Sequence, residues 1–243
     1  MEGKDKISVT LIRHCHSKFN LAEATHGFES IQYNPELIDP ELTDLGIQQA
    51  KEVSEKLKNK QYDFVFVSPL TRALQTAALL FGNHPTKPKF VVMPSLSEMF
   101  LCSSDFGSDY YHIKRTFHEV DFSHVEKLKK PEYWYLECLQ SEEWVSSILE
   151  EADKEGITEL SQAALFILEK IKGTTYFPES PENFVKRVEM AKACIKDFIA
   201  KEGTDKSYAV ITHYWVLMEL TKSEEAPAGK IFKNCQFADH ILD

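Results

Sequence analysis

Residues 7–20 read ISVTLIRHCHSKFN: six strand-forming, mostly apolar residues, then an arginine, two histidines, a cysteine, a lysine and an asparagine in quick succession. A run of β-branched and apolar residues with only weak alternation is what a strand covered on both faces by helices requires. Such strands build open parallel sheets, and those sheets bind ligands beyond the carboxyl ends of their strands. His14 stands at that end with Arg13 beside it, so both are candidate functional residues.

The pattern recurs along the chain. Residues 62–67, YDFVFV, predict a second strand, followed by a Ser68-Pro69 turn and a helix from about Leu70 to Phe81 that Gly82 closes. KFVVMP predicts a third strand leading to Glu98, and residues 207–211 a fourth leading to His213. Thr43 can cap a helix with Ile47, Ala50, Val53 and Leu57 on its apolar face. Ser180 and Pro181 can start another, carrying Phe184, Val188, Ala191, Ile195 and Phe198, with Gly203 as its stop. From His16 to Pro40 the chain reads as polar and irregular. From Met99 to Glu179 it reads as an insertion: aromatic-rich loops and two helices, near 131–150 and 158–172. The expected fold is therefore one domain over 1–243, a three-layer α/β/α sandwich on a mainly parallel sheet, with a helical cap insertion at 99–179.

Composition narrows the function. The chain has 243 residues, 43% hydrophobic and 27% charged, and no apolar run long enough to span a membrane. The opening MEGKDKISVT has no apolar core or small-residue cleavage site, so the expected location is cytoplasmic. The net charge of −10, with no basic stripe, argues against a nucleic-acid partner. Five scattered cysteines without a C-x-x-C pair argue against a disulfide framework and a thiolate zinc site. Cys15 reads either as a small buried apolar residue or, beside Arg13 and the histidines, as a thiol of lowered pKa. His14-x-His16 resembles a metal pair, but Arg13 would repel the cation and nothing completes the ligand set, so no metal is expected.

Three of the predicted strands deliver His14, Arg72 and His213 to one edge, and Arg72 falls in the first turn of its helix, at the positive end of the helix dipole. There the resemblance becomes specific. RHCHSKFN resembles the R-H-G-x-S-x-x-N signature of the histidine phosphatase superfamily, the phosphoglycerate mutase-like fold, through Arg13, His14, Ser17 and Asn20. Leu42–Ala50 resembles its L-T-x-x-G-x-x-Q-A motif and Ser68–Ala77 its S-P-L-x-R-A-x-Q-T-A motif. Thr212-His213 resembles its late T-H motif, and Glu179–Val188 its E-S-x-x-x-F-x-x-R-V helix. The stretch 99–178 is not covered.

The resemblance implies a phosphomonoester hydrolase in which His14 forms a phosphohistidine, without a cofactor. It implies that Arg13, Ser17, Asn20, Arg72 and His213 hold the phosphoryl group, and that Glu98 in PSLSEMF gives a proton to the leaving oxygen. The family's glycines after the two histidines are Cys15 and Tyr214 here, each adding a side chain beside the expected phosphate pocket. Glu98 is followed by Met99, Phe100 and Leu101 and not by the arginine of the related sugar-acid mutases. The expected partner is a phosphorylated small molecule or a phosphoprotein, with no nucleic acid and no membrane. The competing readings are a catalytically weak phospho-ligand-binding or scaffold protein of the same fold, and a phosphoglycerate mutase. Tyr110, Tyr111, Tyr133, Trp134 and Trp144 are expected to build a core for the insertion, with some of them open to facing a substrate. Lys114 and Arg115 form a solvated face or hold a second anionic group.

Overall fold

Strands form where the β-branched and apolar runs lie: β1 (Ile7–Arg13), β2 (Phe64–Val67), β3 (Lys89–Val92) and β4 (Tyr208–Thr212). In the computed structural model, which describes residues 7–137, 139, 143–157, 160–172, 179–222 and 232–242, these four pair in parallel. A fifth strand, β5 (Phe237–Leu242), runs antiparallel along β1. The strand order is β3-β2-β4-β1-β5.

Alternate residues of these strands enter two cores. Ile12, Val65, Val67, Val92, Ala209 and Ile211 pack against the helices Asp44–Leu57 and Thr71–Phe81. Val9, Leu11, Phe64, Phe66, Val91 and Val210 pack against the helices Pro181–Glu202 and Tyr214–Thr221. The result is the three-layer α/β/α sandwich with a mainly parallel sheet that the strand pattern predicts. Each fully buried aliphatic or aromatic side chain contributes roughly 1.5–3 kcal/mol, so both layers are needed to hold the central strands.

Strand order decides what meets at the carboxyl edge. β4 lies between β2 and β1, so Ser68, His213 and His14 follow their strands side by side. The His14 amide donates to the Thr212 carbonyl at 2.9 Å, and the Ser68 amide to that of Ile211 at 3.1 Å.

Several elements differ from the sequence expectation. The stretch after His16 contains a helix, Lys18–His26, that buries no residue fully and so has no apolar stripe to read. Its start is fixed by a capping box in which Ser17 and Asn20 satisfy each other's backbone amides. β5 has only its last residue fully buried, so it too lacks a core pattern. The helix expected near 131–150 divides into a 3₁₀ turn Pro131–Tyr133, one turn Trp134–Glu137 and the helix Glu143–Lys154. The second expected helix is Leu160–Ile171. Residues 138, 140–142 and 158–159 of these two expected helices lie outside the described residues.

Among the described residues the stretch expected to be an insertion has no separate core. Tyr110, Trp134, Tyr135, Leu139, Ala164 and Ile167 join the cluster beneath the Asp44–Leu57 and Thr71–Phe81 helices. Trp134 settles where Gly107 leaves space, since a Cβ at Gly107 would sit 1.9 Å from its ring. Among the described residues no helix is long and apolar enough to cross a membrane.

Candidate active site

Beyond the carboxyl ends of β1 and β4 lies a cavity of about 250 Å³ whose floor includes Arg13, His14, Asn20, Arg72 and Glu98. His14 is buried, and its Nδ1 lies 2.7 Å from the Cys15 carbonyl oxygen. A carbonyl only accepts, so Nδ1 carries the proton and Nε2 keeps the lone pair. Burial first, then the charges of Arg72 and Arg13, hold the His14 pKa well below the usual histidine value. The ring is therefore neutral with one nitrogen ready to attack.

The loop bearing this ring is fixed by its backbone. The Cys15 amide donates to Thr76 Oγ1 at 3.0 Å, the His16 amide to Gln49 Oε1 at 2.9 Å, and the Leu42 amide to Gln75 Oε1 at 2.8 Å. Gly46 lets the next helix approach, because a Cβ there would meet the His16 carbonyl oxygen at 2.1 Å.

Arg72 is buried, donating to the Ser104 carbonyl at 2.6 Å and to Asp105 at 3.1 Å. Asp105 in turn accepts from the Leu101 and Cys102 amides. Sequence reasoning missed Asp105: its partner is 33 residues away and LCSSDFGS carries no motif. Arg13 donates to the Phe232 carbonyl at 2.8 Å and packs over the Tyr214 ring at 5.3 Å, while its buried Nε has no partner among the described residues. Asn20 Oδ1 accepts from the Ser17 amide and hydroxyl and from Asn234 Nδ2. These donors turn its own NH₂ group outward as a donor. Ser17 also lines the cavity, but its hydroxyl serves the cap.

Glu98 accepts from the Met99 amide at 2.9 Å and the Trp215 amide at 3.2 Å. Burial, and after it the charge of Asp105, pushes its pKa from 4.5 up to about 7. Its segment is clamped by Arg187, which donates to the carbonyls of Ser95, Ser97 and Glu98. The same guanidinium grips both oxygens of Glu179 at 2.8 Å, and Glu179 accepts from the Phe100 amide.

His213 is fully buried behind His14, ring centroids 5.0 Å apart, and is not part of the cavity wall. Its Nε2 lies 2.8 Å from Ser68 Oγ, and Nδ1 has no partner among the described residues. Ser68 Oγ accepts from the Leu70 amide and keeps both a proton and a second lone pair for Nε2. When Ser68 is the donor, Nδ1 carries the ring hydrogen.

The two replaced glycines behave differently. Tyr214 lines the cavity, whereas the Cys15 side chain points into the core and forms a disulfide with Cys235. This corrects the expectation of unpaired cysteines. The antiparallel pairing of β1 with β5, Ile12 opposite Phe237, brings the two residues together across 220 positions, and the Cys235 amide donates to the His14 carbonyl. Lys114 and Arg115 line a separate hollow with Tyr111 and His118, where Lys114 pairs with Glu126. His16 Nδ1 lies 2.8 Å from Thr43 Oγ1, and among the described residues no cluster of three or more potential metal ligands occurs.

Comparison with known proteins follows this geometry. Residues 9–120 match the family model of the histidine phosphatase superfamily (branch 1). The fructose-2,6-bisphosphatase TIGAR B of Danio rerio is 33% identical over 93 residues, 37% of this chain and 33% of that protein. A 2,3-bisphosphoglycerate-dependent phosphoglycerate mutase of Methylobacterium sp. (strain 4-46) is 33% identical over 101 residues, 41% of this chain and 42% of that protein. The matched stretches thus span well under half the length of these curated relatives. The crystal structure of phosphoglycerate mutase from Bacillus anthracis str. Sterne superposes over 97% of this chain and 88% of its own, with a TM-score of 0.53 and 17% identity, which shows a shared fold.

Proposed function

We propose that this chain, whose residues 9–120 match the histidine phosphatase superfamily model, is a member of that superfamily and a metal-independent phosphomonoesterase working through a phosphohistidine on His14. One observation carries the reading: a neutral imidazole with a free Nε2 shares a cavity with two guanidinium groups and a carboxyl poised near pH 7. These are the nucleophile, charge stabiliser and acid that phosphoryl transfer needs.

In the first step the Nε2 lone pair attacks phosphorus, the P–O ester bond breaks, and protonated Glu98 gives its proton to the leaving oxygen. In the second, Glu98 carboxylate takes a proton from water as that water attacks the phosphohistidine, releasing phosphate and restoring His14. Arg13, Arg72 and the Asn20 amide hold the equatorial oxygens, and His213 acts through its Nδ1–H. A guanidinium about 4 Å from a phosphoryl charge is worth roughly 4 kcal/mol at an effective dielectric near 20, before desolvation.

The substrate is a phosphorylated small molecule, and the 99–179 segment belongs to the same domain as a cap insertion. A cytoplasmic location is part of this proposal; the Cys15–Cys235 bridge weighs against it, because reducing compartments keep such thiols apart. Thiol-state labelling of the protein taken directly from cells decides that point.

The test is phosphate release from aryl and alkyl phosphates in the presence of chelator, for the wild type and His14→Ala, with trapping of an acid-labile, alkali-stable phosphoenzyme. Release by the wild type alone supports the proposal. Equal, negligible rates favour a phospho-ligand-binding protein. Movement of phosphate between positions of one sugar acid, without release, favours a mutase.

A further inference from the structure

The walls above the phosphate cup differ in character from its floor. Phe19 and Phe28 line them, their rings meeting edge to face at 6.3 Å. Met99, Leu101, Tyr214 and Trp215 line them as well, with the Tyr214 and Trp215 rings 5.1 Å apart and Trp215 45% exposed. Among the described lining residues the only cations are Arg13 and Arg72, both on the floor. The acidic side chains are Glu98, Asp105 and, exposed on the wall, Glu23.

Resting on the phosphatase reading, we propose that the substrate is a phosphomonoester of a small aryl alcohol carrying no second anionic group. The direction of the leaving group is set by Glu98, since the oxygen that receives its proton must lie against that carboxyl. The immediate neighbours of that carboxyl are Met99, next in sequence, and Trp215, whose amide it accepts at 3.2 Å. The alcohol therefore falls against Trp215, Tyr214 and Met99, in a cavity that the Phe19–Phe28 pair also lines. A flat ring fills such a slot, and edge-to-face or offset contacts raise its affinity by roughly 2–10-fold per ring pair.

Among the described residues a second carboxylate or phosphate on the alcohol finds no cation there and approaches Glu23. Lys114 and Arg115, which the sequence offers as a second anion site, lie in a different hollow. The cavity, at about 250 Å³, falls just below the range typical of sites for drug-sized ligands, which suits a one- or two-ring alcohol.

The test measures kcat/KM of the full chain for phenyl, 2-naphthyl and 4-carboxyphenyl phosphates, 3-phosphoglycerate and fructose 2,6-bisphosphate, by phosphate release. In parallel, calorimetry compares binding of phenylphosphonate with phosphonoacetate, two non-hydrolysable probes that differ in the ring and the second anion. The expected result is an aryl preference of at least about tenfold over the glycerate and the sugar bisphosphate. The 4-carboxylate lowers kcat/KM severalfold and Glu23→Gln recovers it. Trp215→Ala raises KM for the aryl esters by about tenfold and lowers the aryl-over-glycerate preference in kcat/KM. Preference for the glycerate or the bisphosphate, or a carboxylate penalty indifferent to Glu23→Gln, overturns the proposal. If no ester turns over, the phosphatase reading fails on its own. Tighter binding of phenylphosphonate than of phosphonoacetate then still supports the ligand class, and equal or weaker binding overturns it.

Discussion

Replacing Glu98 by glutamine separates what this carboxyl does for catalysis from what it does to stability, and the two effects have opposite signs. Glutamine keeps an oxygen to accept from the Met99 and Trp215 amides but neither donates a proton to a leaving oxygen nor acquires charge. The wild-type carboxyl has a folded pKa of about 7 against an ordinary 4.5. Because the folded value is the higher one, the folded protein holds its proton where the unfolded chain has lost it. Stability therefore falls as pH rises between the two values, and the favourable contribution is fully present only below the unfolded pKa. The gap corresponds to about 3 kcal/mol, an order-of-magnitude figure for charging a buried carboxylate.

Glu98→Gln is accordingly expected to be more stable than the wild type by about 3 kcal/mol at pH 8.5, and by less than about 1 kcal/mol at pH 5. For a chain of this length each kcal/mol moves the melting temperature by roughly 2–4 °C. Urea titrations followed by tryptophan fluorescence at both pH values measure the difference. The same variant should lose about 10²–10⁴-fold in kcat on alkyl phosphates, whose leaving oxygen needs a proton, and far less on p-nitrophenyl phosphate. A stability gain that is equal at the two pH values, or a loss at pH 8.5, refutes the reasoning that this carboxyl titrates in a desolvated site.

Three further outcomes follow from other contacts. The kcat of the wild type on alkyl phosphates should decline above about pH 7 as Glu98 deprotonates, and Asp105→Asn should move that limb to lower pH, because the Asp105 charge helps keep the proton on Glu98; a pH–rate profile of both proteins measures it. Arg187→Met strands the Glu179 carboxylate without its cation in a buried site and should cost about 3–5 kcal/mol, read as a lowered thermal midpoint; Arg187→Met with Glu179→Leu should recover part of that loss. Cys235→Ser opens a cross-link spanning 220 positions and should lower the urea midpoint by an amount equivalent to about 2–4 kcal/mol, while the wild type loses the same stability in reductant.

The elements legible in the sequence are those whose residues face a core. Val9, Leu11, Phe64, Phe66, Val210 and their alternates reveal β1, β2 and β4 because both faces of these strands are buried. The helix Lys18–His26 and β5 escape the same reading: one buries nothing fully and the other only its last residue. Missing β5 hides the disulfide, because Cys15 and Cys235 meet only through the β1–β5 pairing. The place of His213 behind His14 depends on the strand order β2-β4-β1, which no local pattern encodes. Asp105 escapes for a related reason: its meaning is given wholly by Arg72.

The motifs themselves raise a further question, since L-T-x-x-G-x-x-Q-A contributes no group to the cavity floor. Its residues act on the backbone of the loop that carries the nucleophile. The Thr43 amide donates to the His16 carbonyl, Gln49 accepts from the His16 amide, and Gly46 clears the path for both. From S-P-L-x-R-A-x-Q-T-A only Arg72 enters the cavity. Gln75 and Thr76 secure Leu42 and Cys15 instead, and Ser68 holds Nε2 of His213. Arg187 and Glu179 do the same for the segment bearing Glu98. His14 keeps backbone bonds to Thr212 and Cys235, but the loop beyond it has no strand partner, so most of these motif residues anchor that loop through hydrogen bonds and only a few touch the reacting group. That ratio also explains why a short stretch of motif-forming polar residues is a better guide to where the reaction occurs than to which of its members perform it.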